Sequence, residues 1–372
     1  MLTDLTITNF KNHVNTNLTG LRSLSVLVGP NGAGKSSVLE AAHYLHQLGR
    51  KRPDELFKKD TVRSPSSLVR REQSTMSLDA KGRAQAGGWS VNLSFRQASE
   101  GWTNSLLVGW DNNEPKEANY DADLLIAEPW VRETLSGAVH FRFEPSQLRQ
   151  ASYPESLPPR IEFNGYGLPS AVSYLMRTGP DAHRTLAALL HEVVPSVIGL
   201  RTNPVQVKRS RRHTLRMEGR EVPFDTEDAV FGDELLFDTV AGRGIPGSAQ
   251  SEGTLLVLGV LTALSLPTRP RVVLLDDVET GLHPAAQRQL MRVLRQLTKQ
   301  DPGLQLILTT HSPYILDALE PAEVWVLGRS DDGFAAAKRL ADNPRADEAL
   351  RILTTGEFWS TEGEDWTEES AT

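Results

Sequence analysis

The chain has 372 residues, 39% of them hydrophobic and 23% charged, with a formal net charge of −7. It contains no cysteine, which excludes disulfides and thiolate metal sites and fits a reducing compartment. The acidity excludes a globally basic nucleic-acid binder, and no apolar run approaches the length of a membrane span. The start, Met1-Leu2-Thr3-Asp4, does not read as a signal peptide, so a cytoplasmic location without a membrane partner is expected.

In chain order, short strands are expected over residues 5–10, 14–18 and 24–28. The third, Leu24-Ser25-Val26-Leu27-Val28, runs directly into Gly29-Pro30-Asn31-Gly32-Ala33-Gly34-Lys35-Ser36, and a helical pattern follows over 35–48. Strand, G-x-x-x-x-G-K-[ST] and helix in that order spell a phosphate-binding loop. Its glycines let successive backbone N–H groups face a phosphate, and the helix N-terminus adds a positive dipole end. Asn31, Gly32, Gly34, Lys35, Ser36 and Ser37 are therefore the expected nucleotide contacts. Lys35 neutralises phosphate charge and the Ser36 hydroxyl sits on Mg²⁺.

Residues 50–87 are polar, basic and poorly patterned, and are expected to form a loop or a mobile insertion. Residues 89–95 and 106–110 alternate as a hairpin, and 139–143 reads as a further strand. From 158 to 223 the texture changes to helical patterns at 168–177 and 181–194, then a basic β-like stretch. This reads as a lobe inserted between the halves of one nucleotide-binding fold. After Gly253 a helix is expected to 267, a strand at 272–276, a helix at 284–297 and a strand at 304–309. Short elements at 323–327 and 333–338 complete the pattern. The expected fold is α/β: a P-loop NTPase with a mixed or parallel sheet and an inserted α+β lobe. The expected divisions are 1–157, 158–252, 253–345 and a partly disordered tail, 346–372, acidic from 362 onward.

The strand at 272–276 ends in Asp276-Asp277. Adjacent carboxylates at a strand end are costly without a cation, so Asp276 is expected to hold Mg²⁺ and Asp277 to polarise the attacking water. His311, ending the next strand in Thr309-Thr310-His311-Ser312-Pro313, is placed to reach the γ-phosphate or that water.

These blocks resemble the ABC-type ATPase heads of the RecF, SMC and OLD-like group, found among stand-alone bacterial ATPases of DNA repair and phage defence. Leu275-Asp276-Asp277-Val278-Glu279-Thr280-Gly281-Leu282-His283-Pro284 is similar to that group's acid-pair and D-loop segment, and Thr310-His311-Ser312-Pro313 to its switch-histidine motif. Ser251-Glu252-Gly253-Thr254 looks like a shortened signature motif, though by itself it also reads as an N-capped helix start. The resemblance implies an ABC ATPase head that binds ATP and Mg²⁺ and forms a homodimer around the nucleotide. Ser251 and Gly253 then contact the γ-phosphate held by the second copy's Lys35. It implies nucleotide contacts at Lys11 and Asn12, and a lid glutamine at the metal, for which Gln147 is the candidate. The group carries Glu where this chain has Asp277; Glu279 is the alternative contributor, and slow turnover is expected.

Lys208, Arg209, Arg211 and Arg212 form the densest positive cluster, readable either as a contact for a DNA backbone or as a solvated hairpin face. The leading functional expectation is an ATP-gated dimer acting on DNA or on a separately encoded effector, in repair or antiviral defence. The alternatives are a RecF-like recombinational repair ATPase and an ABC transporter ATPase subunit. A nuclease fusion is not expected, since 45 residues follow Leu327.

Overall fold

In the computed structural model the chain divides into two units: Met1–Phe141 with Pro270–Glu279 and Gln287–Thr372, and Arg142–Arg269 with Thr280–Ala286. The structure describes all residues except 57–64, 85–86, 100, 111–115, 118–133, 218–219, 331–332 and 368–372.

The first unit begins with β1 (Leu2–Phe10), β2 (His13–Thr19) and β3 (Leu24–Val28), then α1 (Lys35–Gln47) and α2 (Pro65–Leu68). It continues with β4 (Thr75–Ala84), β5 (Gly87–Ala98), β6 (Gly101–Trp110), β7 (Lys116–Glu117) and β8 (Ala138–Phe141). Six of these strands form a sheet in the order β2-β1-β4-β5-β6-β7, antiparallel at every pairing. The hairpin expected around 89–110 is present, with Leu93 opposite Leu106.

The loop expected over 50–87 is corrected by β4, which pairs on both sides. Met76, Leu78 and Ala80 point inward while Ser77, Asp79 and Lys81 lie between them on the more open face. The period-two signal is there, but only three modest apolar residues carry it, among charges that suit the outer face of an antiparallel sheet.

The second unit contains α3 (Pro145–Leu148), α4 (Leu168–Thr178), α5 (Pro180–Val193), β9 (Val197–Met217), β10 (Arg220–Thr239), β11 (Gly242–Pro246) and α6 (Glu252–Ser265). β9 and β10, 21 and 20 residues long, pair antiparallel as a long arm, and β11 adds a third strand beside β10. α6 is apolar almost all round and correspondingly buried, with Leu255, Val257, Leu258 and Leu261 at 0% exposure. A Cβ on Gly259 would lie 2.9 Å from Phe143 and 3.0 Å from Leu148, so the missing side chain lets the α3 region close on this helix.

Returning to the first unit, β12 (Val272–Leu275), α7 (Pro284–Gln300), β13 (Gln305–Thr310), α8 (Pro313–Leu316), β14 (Val324–Arg329) and β15 (Ala335–Arg339) follow. The core sheet has the order β15-β14-β3-β13-β12-β8. β8, β12, β13, β3 and β14 run parallel and β15 antiparallel. β3, β12 and β13 are buried along their whole length, as central strands of a covered parallel sheet should be, with Ser25, Gln305, Thr309 and Thr310 among the buried polar residues. One hydrophobic cluster joins both sheets to α1, with Phe10, Leu39, Leu93, Leu274 and Ile307 among its members. This order sets β13 between the phosphate-loop strand β3 and the acid-pair strand β12, so all three C-terminal ends open on one edge.

α9 (Ala346–Ala349), α10 (Thr355–Glu362) and a short turn at 365–367 are formed. Phe358 is fully buried, and Gly328 on β14 meets Glu364 and Thr367 at distances a Cβ would not permit. Asp347, Glu348 and Glu357 stand outward while Phe358 anchors the segment. Residues 368–372 lie outside the described residues.

Candidate nucleotide-binding site

The loop between β3 and α1 is shaped by glycines that no other residue could replace without movement. Gly29 has φ +147°, and a Cβ there would stand 2.0 Å from the Leu327 carbonyl oxygen. Lys35 is 5% exposed and its Nζ donates to the carbonyls of Gly29 (2.8 Å) and Pro30 (3.0 Å). Burial pushes its ammonium below the usual lysine range, opposed by the nearby charges of Asp277, Asp276, Glu279 and Glu364. A buried cation curled onto its own loop is one that an anionic ligand can draw outward. Ser36 and Ser37 begin α1 behind it, and Asn31 and Gly32 form the exposed crest of the loop.

The β1–β2 turn carries Lys11 and Asn12 to this loop. Asn12 Nδ2 donates to the Gly32 carbonyl at 3.1 Å, while the Lys11 ammonium pairs with Glu40 on α1. Two residues that sequence reasoning missed also grip the loop. Arg329, at the end of β14, donates through Nε to the Gly32 carbonyl at 3.1 Å, and His13 Nε2 lies 3.2 Å from the Gly34 carbonyl. Neither belongs to a motif; only the neighbouring of β14 with β3, and the fold of β2 over the loop, brings them there.

At the end of β12, Asp276 is 3% exposed. Its Oδ1 accepts the Ser36 hydroxyl at 3.0 Å and the Thr309 hydroxyl at 2.5 Å. Two hard oxygen ligands so close, facing a phosphate loop, suit Mg²⁺, which takes one or two protein oxygens and completes its shell with phosphate and water. Among the described residues there is no group of three or more His, Cys, Asp or Glu side chains that could hold a metal ion. Asp277 adopts φ +53°, a left-handed conformation unusual for a residue with a Cβ. Its backbone N–H donates to Thr309 Oγ1 at 2.9 Å, and its Oδ1 stands 4.0 Å from His311 Nε2.

Glu279 is committed differently. One carboxylate oxygen accepts the Thr310 hydroxyl at 2.8 Å and the other accepts the His311 backbone N–H at 2.7 Å. It therefore clamps the segment that carries His311. Lys35, Ser36, Asp276, Asp277, Glu279 and His311 all belong to the first unit and converge on one sheet edge.

The remaining sequence-derived candidates lie in the second unit. Ser251 caps α6, its Oγ accepting the Thr254 N–H at 3.2 Å. A Cβ on Gly253 would be 2.4 Å from the Gly281 carbonyl oxygen, so the two backbones meet directly. Gln147 is half-buried on α3. On the arm, Arg209 donates through Nε to Asp228 at 2.9 Å, and the register sets Arg212 opposite Asp225 and Lys208 opposite Ala229. The side chains of Arg211 and Arg212 lie outside the described residues.

The chain is 21% identical to an "ATP/GTP phosphatase" of Helicobacter pylori over 86% of its own length and 88% of that protein's. It is 30% identical to the "Retron Vc95 probable ATPase" of Vibrio cholerae, over 23% of its own length and 16% of that protein's. In fold it is similar to an Smc head bound to the C-winged helix domain of ScpA, with a TM-score of 0.58 and 13% identity over 94% of this chain and 99% of that one. The family model described as "AAA domain, putative AbiEii toxin, Type IV TA system" matches residues 24–317. The match runs from the phosphate-loop strand through His311, and the chain belongs to that family of P-loop ATPases, with a fold similar to that of an Smc head.

Proposed function

We propose that the chain is an ATP-dependent switch: a slow ATPase whose homodimer closes around two nucleotides and signals to a separately encoded effector. The observation that carries this reading is the 3.0 Å approach of Ser36 Oγ to Asp276 Oδ1, which joins the phosphate loop to the acid-pair strand. Lys35 leaves its carbonyl partners to meet the β- and γ-phosphates, and Lys11 and Asn12 flank the nucleotide. Ser36 and Asp276 hold Mg²⁺, which when bound neutralises charge on the transferred phosphoryl group. Gln147 is the lid residue assigned to the same ion. Asp277 accepts the proton of the attacking water, and His311 beside it stabilises the phosphoryl oxygens. Ser251 and Gly253 of one copy, at the N-terminus of α6, cap the γ-phosphate held by the other copy's Lys35.

Asp277 is one methylene shorter than glutamate, and water placement is sensitive to such a difference in reach, which supports slow turnover. Glu279 is engaged at both oxygens, which supports Asp277 over it as the base. The likeness to a retron ATPase supports a role in antiviral defence over recombinational repair, and the likeness to a ScpA-bound head supports a protein effector. No helix among the described residues is long and apolar enough to cross a membrane. Direct DNA contact through Lys208, Arg209, Arg211 and Arg212 is less favoured, because acids on β10 offset much of that charge across the register.

Light scattering of the Asp277→Asn chain with and without Mg-ATP tests the reading. The mass is expected to double with nucleotide; an unchanged mass at saturation overturns it.

A further inference from the structure

His13 opens β2 and is fully buried. Its imidazole links two elements, with Nε2 3.2 Å from the Gly34 carbonyl oxygen and Nδ1 2.9 Å from Thr16 Oγ1. A carbonyl can only accept, so Nε2 carries the hydrogen and Nδ1 receives the Thr16 hydroxyl proton. Burial holds the ring neutral, with its pKa lowered to about 4. The Gly34 carbonyl also accepts the Val38 N–H at 3.0 Å, the first bond of α1. This one oxygen is therefore gripped by the helix and by a strand that lies outside the phosphate-loop motif.

The peptide that follows matters for binding. A planar trans peptide points its C=O and N–H in opposite directions. Holding the Gly34 carbonyl from behind turns the Lys35 N–H toward the loop's open face, where an anion would sit. Asn12 and Arg329 hold the Gly32 carbonyl from outside the loop in the same way. The approach is close enough to demand glycine: a Cβ on Gly34 would lie 2.6 Å from His13 Nε2, and Gly34 also has φ +100°. His13 and Gly34 are thus a matched pair across 21 residues of sequence.

We infer that His13 is a positioning residue for triphosphate binding, orienting the Gly34–Lys35 peptide so that the Lys35 amide faces the phosphate. The inference rests on the reading of this loop as a nucleotide site, and it goes beyond that reading by assigning a role to a side chain of β2.

The test is titration of the full-length chain with Mg²⁺ and β,γ-imido-ATP, comparing wild type with His13→Leu, His13→Gln and Thr16→Val. Loss of one well-placed hydrogen bond corresponds to roughly tenfold weaker binding, and this is the expected effect of His13→Leu. His13→Gln keeps an amide donor near Nε2 and is expected to restore most of the affinity. Thr16→Val removes the hydroxyl that orients the ring and is expected to weaken binding by a smaller factor, which keeps the test open should His13→Leu fail to fold. Equal weakening in His13→Gln and His13→Leu, or unchanged binding in both His13→Leu and Thr16→Val, overturns the inference and leaves the nucleotide site standing. A wild-type chain that does not bind the analogue removes the nucleotide site itself and the inference with it.

Discussion

The Thr309 hydroxyl joins the two acids at the end of β12: it donates to Asp276 Oδ1 at 2.5 Å and accepts the Asp277 N–H at 2.9 Å. One buried side chain on β13 thereby bonds both the Asp276 carboxylate and the Asp277 backbone. Thr309→Val keeps the shape but removes both bonds and leaves a backbone N–H without its partner. Stability is expected to fall by about 1–3 kcal/mol, and ATP hydrolysis is expected to fall with nucleotide affinity changed less. Denaturant titration alongside steady-state ATPase kinetics checks both.

Asp277 carries backbone strain at φ +53° in addition to its carboxylate. Left-handed backbone suits glycine and is costly for a β-branched residue, so the two substitutions separate conformation from chemistry. Asp277→Val is expected to lower stability by about 1–3 kcal/mol, and Asp277→Gly to leave it unchanged or raise it. Both are expected to abolish most hydrolysis. Equal melting temperatures for the two variants contradict the strain.

Gly253 meets Gly281 backbone to backbone, a Cβ being 2.4 Å from the Gly281 carbonyl oxygen and 2.7 Å from the Leu282 side chain. Gly253→Ala forces the segment at 280–286 off the start of α6 and is expected to cost about 1–3 kcal/mol by overpacking. Nucleotide-dependent dimerisation is expected to weaken more than binding of nucleotide to the single chain. Sedimentation with ATP, compared with analogue titration, reads the two separately.

Acid is expected to destabilise the first unit. His13, His43 and His46 each titrate at about 4 in the folded chain, below the unfolded value of 6.5, chiefly through burial. The unfolded chain therefore binds more protons between these values, so stability is complete above pH 6.5, falls as pH drops, and levels off below 4. At pH 5 the loss amounts to about 2 kcal/mol per histidine. His46 donates from Nδ1 to the Leu135 carbonyl at 3.1 Å, so His46→Asn preserves a donor while removing one titration. Unfolding free energies from pH 7.5 to 4.5 should show a shallower slope for that variant.

What the amino-acid sequence determined by itself was the chemistry and most of the frame that bears it. Local patterns carry that information: the apolar run of β3 entering Gly29 to Ser36, the acids closing β12, and the helical period of α4, α5 and α7. Each is written in consecutive residues, because glycine conformation, strand burial and helix dipoles act over a few positions. Only the tertiary structure decided which side chains would serve the loop from elsewhere. β4 lay hidden in a polar stretch because three inward residues sufficed once β1 and β5 paired with both its edges. That Glu279 accepts the Thr310 hydroxyl and the His311 N–H was likewise set only by the packing of β13 beside β12. Arg329 and His13 reach the phosphate loop through strand neighbours and a turn, contacts set by packing over long separations that no local spacing encodes.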